Sequence, residues 1–177
     1  IELCRHLNLD FFQGDENDLV DRYYKCAKKF NFENIIRVTS DCPLMDPNLV
    51  DEGISRFLDE KCDYLTNSTG KFPHGVDFSI FTFSMLEKTW KNARLLSEKE
   101  HVIPYMEKKE NNFNTIFLKN QSDQSKFRIT LDWTEDLELL RILVDKIKSR
   151  PILVHDVTTY LENNPNLLKI NEGHHKE

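Results

Sequence analysis

Two rhythms of apolar residues alternate along the chain. Leu19, Val20, Tyr23, Tyr24, Ala27 and Phe30 recur at the spacing of one helix face, with acids ahead of them and Lys28-Lys29 behind. That order suits the helix dipole. Ile35-Ile36-Arg37-Val38-Thr39 is β-branched and predicts a buried strand. Asp46-Pro47 is a helix start, an N-cap followed by proline in the first turn, and Leu49, Val50, Ile54, Phe57 and Leu58 form the stripe behind it. Further strands are predicted at Phe11-Phe12, Tyr64 to Thr66, Val76 to Phe83, Thr115 to Leu118 and Phe127 to Leu131. Further helices carry Leu86 and Trp90, then begin at a Ser97-to-Glu100 capping box that Pro104 can kink. A last pair is predicted, one capped by Thr134 with Leu137, Leu140, Leu143, Val144 and Ile147 on its stripe, the other near Val157 to Leu161.

This alternation predicts an α/β domain with a largely parallel sheet. No repeat or Gly/Ser linker interrupts residues 1–177, and only five glycines are present, so a single domain is expected. Ligands of such sheets bind beyond the C-terminal ends of the strands. Two acids stand there: Asp41 after Ile35 to Thr39, and Asp132 after Phe127 to Leu131.

Composition narrows the partners. Acidic residues number 30 against 24 basic ones, a formal charge of −6, which argues against nucleic-acid binding. No apolar run is long enough to span a membrane. The opening Ile1-Glu2-Leu3-Cys4-Arg5-His6 lacks the regions of a signal peptide, and the four cysteines form no CxxC pair. A cytoplasmic protein with free thiols is expected.

The chemistry centres on the acids. A rigid carboxylate at a strand end suits Mg²⁺, which demands oxygen ligands in near-octahedral geometry. Asp41 and Asp132 together could hold an ion that bridges phosphate oxygens, as phosphoryl or nucleotidyl transfer requires. Asp46 reads as a helix cap, and Glu135 and Asp136 as acids of a first helical turn. Cys42 lacks any sign of the base a nucleophile needs. Glu100 reads as a capping partner, while His101 reads equally as helix surface or as chemistry. His174-His175 reads as polar surface at the tail.

Five segments in order, and a sixth near the end, carry a resemblance. Gly14-Asp15-Glu16-Asn17-Asp18-Leu19-Val20-Asp21-Arg22-Tyr23-Tyr24 looks like a helix start of the form G-x-x-x-D-V-L-x-R-Y. Asp41-Cys42-Pro43-Leu44, Phe72-Pro73-His74-Gly75-Val76-Asp77, Glu100-His101-Val102-Ile103-Pro104-Tyr105 and Leu131-Asp132-Trp133-Thr134-Glu135-Asp136-Leu137 follow, and Asn171-Glu172-Gly173 closes the set. Together they resemble cytidylyltransferases of the spore-coat polysaccharide biosynthesis protein F type, relatives of CMP-sialic acid and CMP-Kdo synthetases. The resemblance implies a three-layer, Rossmann-like nucleotide-diphospho-sugar transferase fold. It implies activation of a sugar or sugar acid with CTP and release of pyrophosphate. Asp41 and Asp132 would ligate Mg²⁺, and His74, Asp77, Glu100 and His101 would line the sugar side. Relatives are often homodimers. Trp133-Thr134 stands where the family usually has Thr-Pro.

The family's Gly-rich, basic loop, which cradles a triphosphate through backbone N–H groups, has no counterpart here. The expectation is a chain that lacks the family's first strands and does not by itself complete a turnover. A non-catalytic remnant that binds a partner is the competing reading. A glycosyltransferase with an Asp-x-Asp pair ranks lower, because Asp41-Cys42-Pro43 is not that pair.

Overall fold

The computed structural model describes residues 1–174. In chain order the elements are α1 (Glu2–His6), α2 (Leu19–Phe30), β1 (Asn34–Val38), α3 (Pro47–Asp59), β2 (Tyr64–Thr66), β3 (Phe78–Thr82), α4 (Phe83–Asn92), α5 (Leu96–His101), α6 (Ile103–Met106), β4 (Thr115–Phe117), α7 (Thr134–Lys146) and α8 (Val154–Asn163). Short 3₁₀ turns occupy Lys109–Asn111, Pro165–Ile170 and Glu172–His174. The strands form one sheet in the order β1-β3-β2-β4. β2 and β4 run parallel, with Tyr64 opposite Thr115 and Thr66 opposite Phe117. The alternation predicted from periodicity is therefore present.

Within the span read as one domain, the chain divides into two compact units. One joins Ile1–Ile35 to Phe81–Asn114; the other joins Ile36–Ile80 to the chain from Thr115 onward. The division falls inside β1 and β3.

In the first unit, Asp18 caps α2 by accepting from the N–H of Asp21 at 2.9 Å. Asn31 ends the helix in the left-handed conformation (φ 55°) that asparagine tolerates. Tyr24 lies between Phe83 and Trp90, with ring centroids 5.7 and 4.1 Å away. Phe11-Phe12, expected as a strand, is irregular. Two residues make too short a ladder to persist, and the rings instead meet cations, Arg5 over Phe11 and Lys29 over Phe12. The capping box also differs from expectation. Glu98, not Glu100, reaches back to the N–H groups of Arg94 and Leu95, at 2.8 and 3.0 Å. Lys108 pairs with the Glu98 carboxylate and, with those two N–H groups, holds its pKa down at about 2. Pro104 does not kink a continuing helix but lies in the first turn of α6, where its missing N–H costs nothing. The break falls at Val102, whose φ is 65°.

The second unit holds the main core, in which Phe57, Leu65, Phe78, Ile80, Phe127, Leu139, Leu143 and Leu161 are buried together. α3 turns Leu49, Gly53 and Phe57 inward and leaves Leu58 exposed. Along α7 the buried face is Asp136, Leu139, Leu140 and Leu143, with Val144 exposed. Phe127 to Leu131, expected as a strand, makes a single parallel bridge, Arg128 to His74.

Asp46 does more than cap α3. Its Oδ1 accepts from the N–H groups of Asn48 and Leu49, at 2.9 and 3.3 Å, and its Oδ2 accepts from Val154 N–H at 2.8 Å, at the start of α8. One buried carboxylate thus satisfies the orphan donors of two helices. Asp46→Ala is expected to cost about 2 kcal/mol, a lost cap plus an unpaired N–H. The check is a lower urea midpoint at unchanged slope.

Candidate active site

Asp41 lies in a turn directly after β1, and its backbone carbonyl is gripped twice. Leu131 N–H donates to it at 2.8 Å and the Thr130 hydroxyl at 3.0 Å. These two bonds bring the turn after β1 against the end of the Phe127 to Leu131 segment. Asp41 and Asp132, 91 positions apart in number, come from those two places. Burial raises the Asp41 carboxyl, but hydrogen bonds from Thr39, its own backbone N–H and Cys42 outweigh it and hold the group below the usual carboxylate range. Asp41 is therefore an anion at neutral pH.

Asp132 owes its position to Arg128. The Arg128 guanidinium is buried, with 2% of its side chain exposed. Its Nε and Nη2 donate to the two oxygens of Asp136 at 3.0 and 2.8 Å, a bidentate pair. The second hydrogen of Nη2 goes to Asp132 Oδ2 at 2.7 Å, and Nη1 lies 3.0 Å from His74 Nδ1. Asp136, fully buried, also accepts from the N–H groups of Asp132 and Trp133 and from the Asn171 amide. Asp132 remains 40% exposed. Of two acids four residues apart, one is the buried counter-ion and the other faces outward.

His74 is fixed by its backbone. Its N–H donates to Phe127 O at 2.9 Å, and its carbonyl accepts from Ile129 N–H at 2.7 Å. Gly75 follows with φ 110°, a conformation open to glycine. Asp77 is held between two residues that Asn67 clamps, its amide donating to Val76 O and accepting from Phe78 N–H, each at 2.8 Å. His74, Asp77, Asp41 and Asp132 all belong to the second unit.

Glu100 and His101 lie in the first unit, exposed at the end of α5. Glu100 does not cap the helix, since Glu98 fills that role. Cys42 is buried, and burial pushes its thiol up to about 11, helped by the carboxylates of Asp41 and Asp77. It is a thiol at neutral pH, in agreement with its reading as a non-nucleophile. His174, read as tail surface, stacks on exposed Trp133 with centroids 4.9 Å apart. His175 lies outside the described residues.

Asp41 and Asp132 offer oxygen donors, and the Arg128 guanidinium pairs with two carboxylates, those of Asp132 and Asp136. Among the described residues no group of three His, Cys, Asp or Glu side chains converges to hold a metal ion. Two carboxylates nonetheless fit Mg²⁺, which usually keeps waters and takes substrate phosphates as its other ligands.

Residues 3–165 match the cytidylyltransferase family. The chain belongs to that family. It is 32% identical over 175 residues to an uncharacterized protein of Methanocaldococcus jannaschii, covering 98% of this chain and 71% of the relative. It is 28% identical over 168 residues to the spore coat polysaccharide biosynthesis protein SpsF of Bacillus subtilis, covering 92% and 68%. Among solved structures, a cytidylyltransferase from Leptospira borgpetersenii superposes with a TM-score of 0.90 at 35% identity, over 94% of this chain and 71% of that one. The fold of this cytidylyltransferase is accordingly the nucleotide-diphospho-sugar transferase fold. No helix among its described residues is long and apolar enough to cross a membrane.

Sequence reasoning missed four residues that organise the site: Arg128, Asp136, Asn171 and Asn67. For Arg128 a signal existed. A lone arginine in Phe127-Arg128-Ile129-Thr130-Leu131 needs a buried counter-charge, and Asp136 is the nearest buried acid. Asn67 carries no signal, because its task is to satisfy the backbone on either side of a residue ten positions away.

Proposed function

We propose that the patch around Asp41 and Asp132 binds Mg²⁺–CTP together with a sugar or sugar acid and forms a CMP-sugar. The observation that carries this reading is the pair of bonds from Leu131 and Thr130 to the Asp41 carbonyl, which joins the two strand-end acids in a member of the cytidylyltransferase family. Similarity to a protein named for spore coat polysaccharide biosynthesis supports a destination in surface polysaccharide.

In the reaction, a sugar oxygen attacks the α-phosphorus of CTP. A new P–O bond forms as the bond to the bridging oxygen of the β-phosphate breaks. Pyrophosphate leaves with that electron pair, and the hydroxyl proton passes to water. Bound Mg²⁺ supplies charge neutralisation on the phosphate oxygens. Asp41 and Asp132 would hold it, the first kept ionised by its hydrogen bonds and the second aimed by Arg128. His74 and Asp77 would meet the sugar. Little covalent chemistry falls to the protein, so positioning accounts for most of the rate.

Calorimetric titration with CTP, UTP, GTP and ATP, each with and without Mg²⁺, tests the proposal. CTP is expected to bind selectively and only with Mg²⁺. Asp41→Asn and Asp132→Asn are each expected to weaken that binding at least about tenfold, as loss of a metal-site carboxylate should. Equal binding of all four nucleotides, or CTP affinity indifferent to Mg²⁺ and to both variants, would refute it.

A further inference from the structure

We propose that Arg128 is a positioning residue that sets the tautomer of His74, holding the imidazole proton on Nε2. A guanidinium has five donors and no acceptor. The 3.0 Å contact between Arg128 Nη1 and His74 Nδ1 is therefore a bond in which Nδ1 accepts, and Nδ1 carries no proton. The ring is then neutral with its hydrogen on Nε2.

Neither partner can turn away. His74 and Arg128 face each other across a parallel bridge closed by backbone bonds of 2.9 and 2.7 Å. The guanidinium is locked by the bidentate Asp136 pair, and Asp136 is itself fixed by Asn171 and by two backbone N–H groups. The same Nη2 that completes the Asp136 pair also reaches Asp132 Oδ2 at 2.7 Å. One buried cation thus fixes the direction of a proposed metal carboxylate and the proton of a proposed substrate-contacting histidine. This rests on the reading that the patch takes a sugar substrate: there, His74 meets a substrate oxygen as a hydrogen-bond donor, not as a base.

Long-range ¹H–¹⁵N correlation of the imidazole rings at neutral pH tests this on the wild-type chain, with His74 assigned by the resonance that His74→Gln removes. The expected result is one neutral ring with Nδ1 unprotonated and hydrogen on Nε2. A proton on Nδ1 overturns the proposal. Arg128→Lys supplies the second arm, since an ammonium keeps the charge but cannot serve Asp136 bidentately while reaching both other partners. That variant, if folded by circular dichroism, is expected to lose the single-tautomer signature, and an unchanged signature overturns the proposal. If it does not fold, the wild-type spectrum decides alone. The measurement needs neither nucleotide nor cation, so failure to bind CTP leaves it intact, and a proton on Nδ1 leaves the CTP reading untouched.

Discussion

Asp136→Ala is expected to lower folding stability by about 3–5 kcal/mol, the cost of leaving a buried partner charge uncompensated. Its carboxylate is fully buried and accepts two hydrogen bonds from Arg128, one from Asn171 and two from backbone N–H groups. Removal strands the Arg128 guanidinium and, with it, the N–H groups at the start of α7. Asp132→Ala, by contrast, removes a partly exposed carboxylate and should change stability by less than about 1 kcal/mol. Paired urea melts of the two variants check the contrast. Equal losses would mean that the outer acid is as desolvated as the inner one.

Asp136 also fixes a pH signature. Burial raises its carboxyl, but the bonds from Arg128, Asn171 and the N–H groups of Asp132 and Trp133 overcome burial and hold it far below the usual range. A depressed folded-state value means that the unfolded chain binds the proton more tightly. The stabilisation is therefore complete above about pH 4, the ordinary carboxyl value, and is lost as the pH falls below it toward the folded-state value. Urea midpoints of wild type should fall steeply below about pH 4, and those of Asp136→Ala should fall less.

Gly75→Ala is expected to cost roughly 2–4 kcal/mol, from two sources. At φ 110° a side chain is strained by about 1–2 kcal/mol. A Cβ there would also come within 2.4 Å of Thr130 N and 2.6 Å of Ile129 C, and overpacking adds about 1–3 kcal/mol. The obstacle is backbone, so no rotamer relieves it. To make room, the 129–130 segment must move away, which stretches the bridge between His74 and Arg128 and the grip of Thr130 and Leu131 on Asp41. Loss of stability should therefore come with loss of Mg²⁺-dependent CTP binding. A variant that melts early yet binds CTP like wild type would separate the glycine from the site.

Much of the candidate site was legible where the signal is local. A β-branched run ending in an acid, followed by a helix start, marks Asp41 within eleven residues, and the same pattern marks Asp132. His74 and Asp77, in Pro73-His74-Gly75-Val76-Asp77, entered only through the family resemblance. The helix starts differ from expectation: in place of the capping box read at Ser97 to Glu100 and the cap read at Thr134, Glu98 and Asp136 reach back to the backbone. Each start offers two nearby acids, Glu98 and Glu100 or Glu135 and Asp136, and local geometry alone does not rank them.

Local energetics determined the rest of what the sequence conveyed. The 3.6-residue period, the proline after Asp46 and the β-branched run at Ile35 set helices and strands through nearest-neighbour terms, and so set the α/β class. Tertiary structure decided which acids are buried. Asp132 and Asp136 share a segment, a charge and a spacing of one helical turn, yet one is an exposed candidate ligand and the other a sealed counter-ion. The difference comes from Arg128, just upstream of both, and from His74 and Asn171, which reach this point from other parts of the chain. Burying a charge costs several kcal/mol unless its partner is already in place, so that assignment exists only once the fold has brought them together.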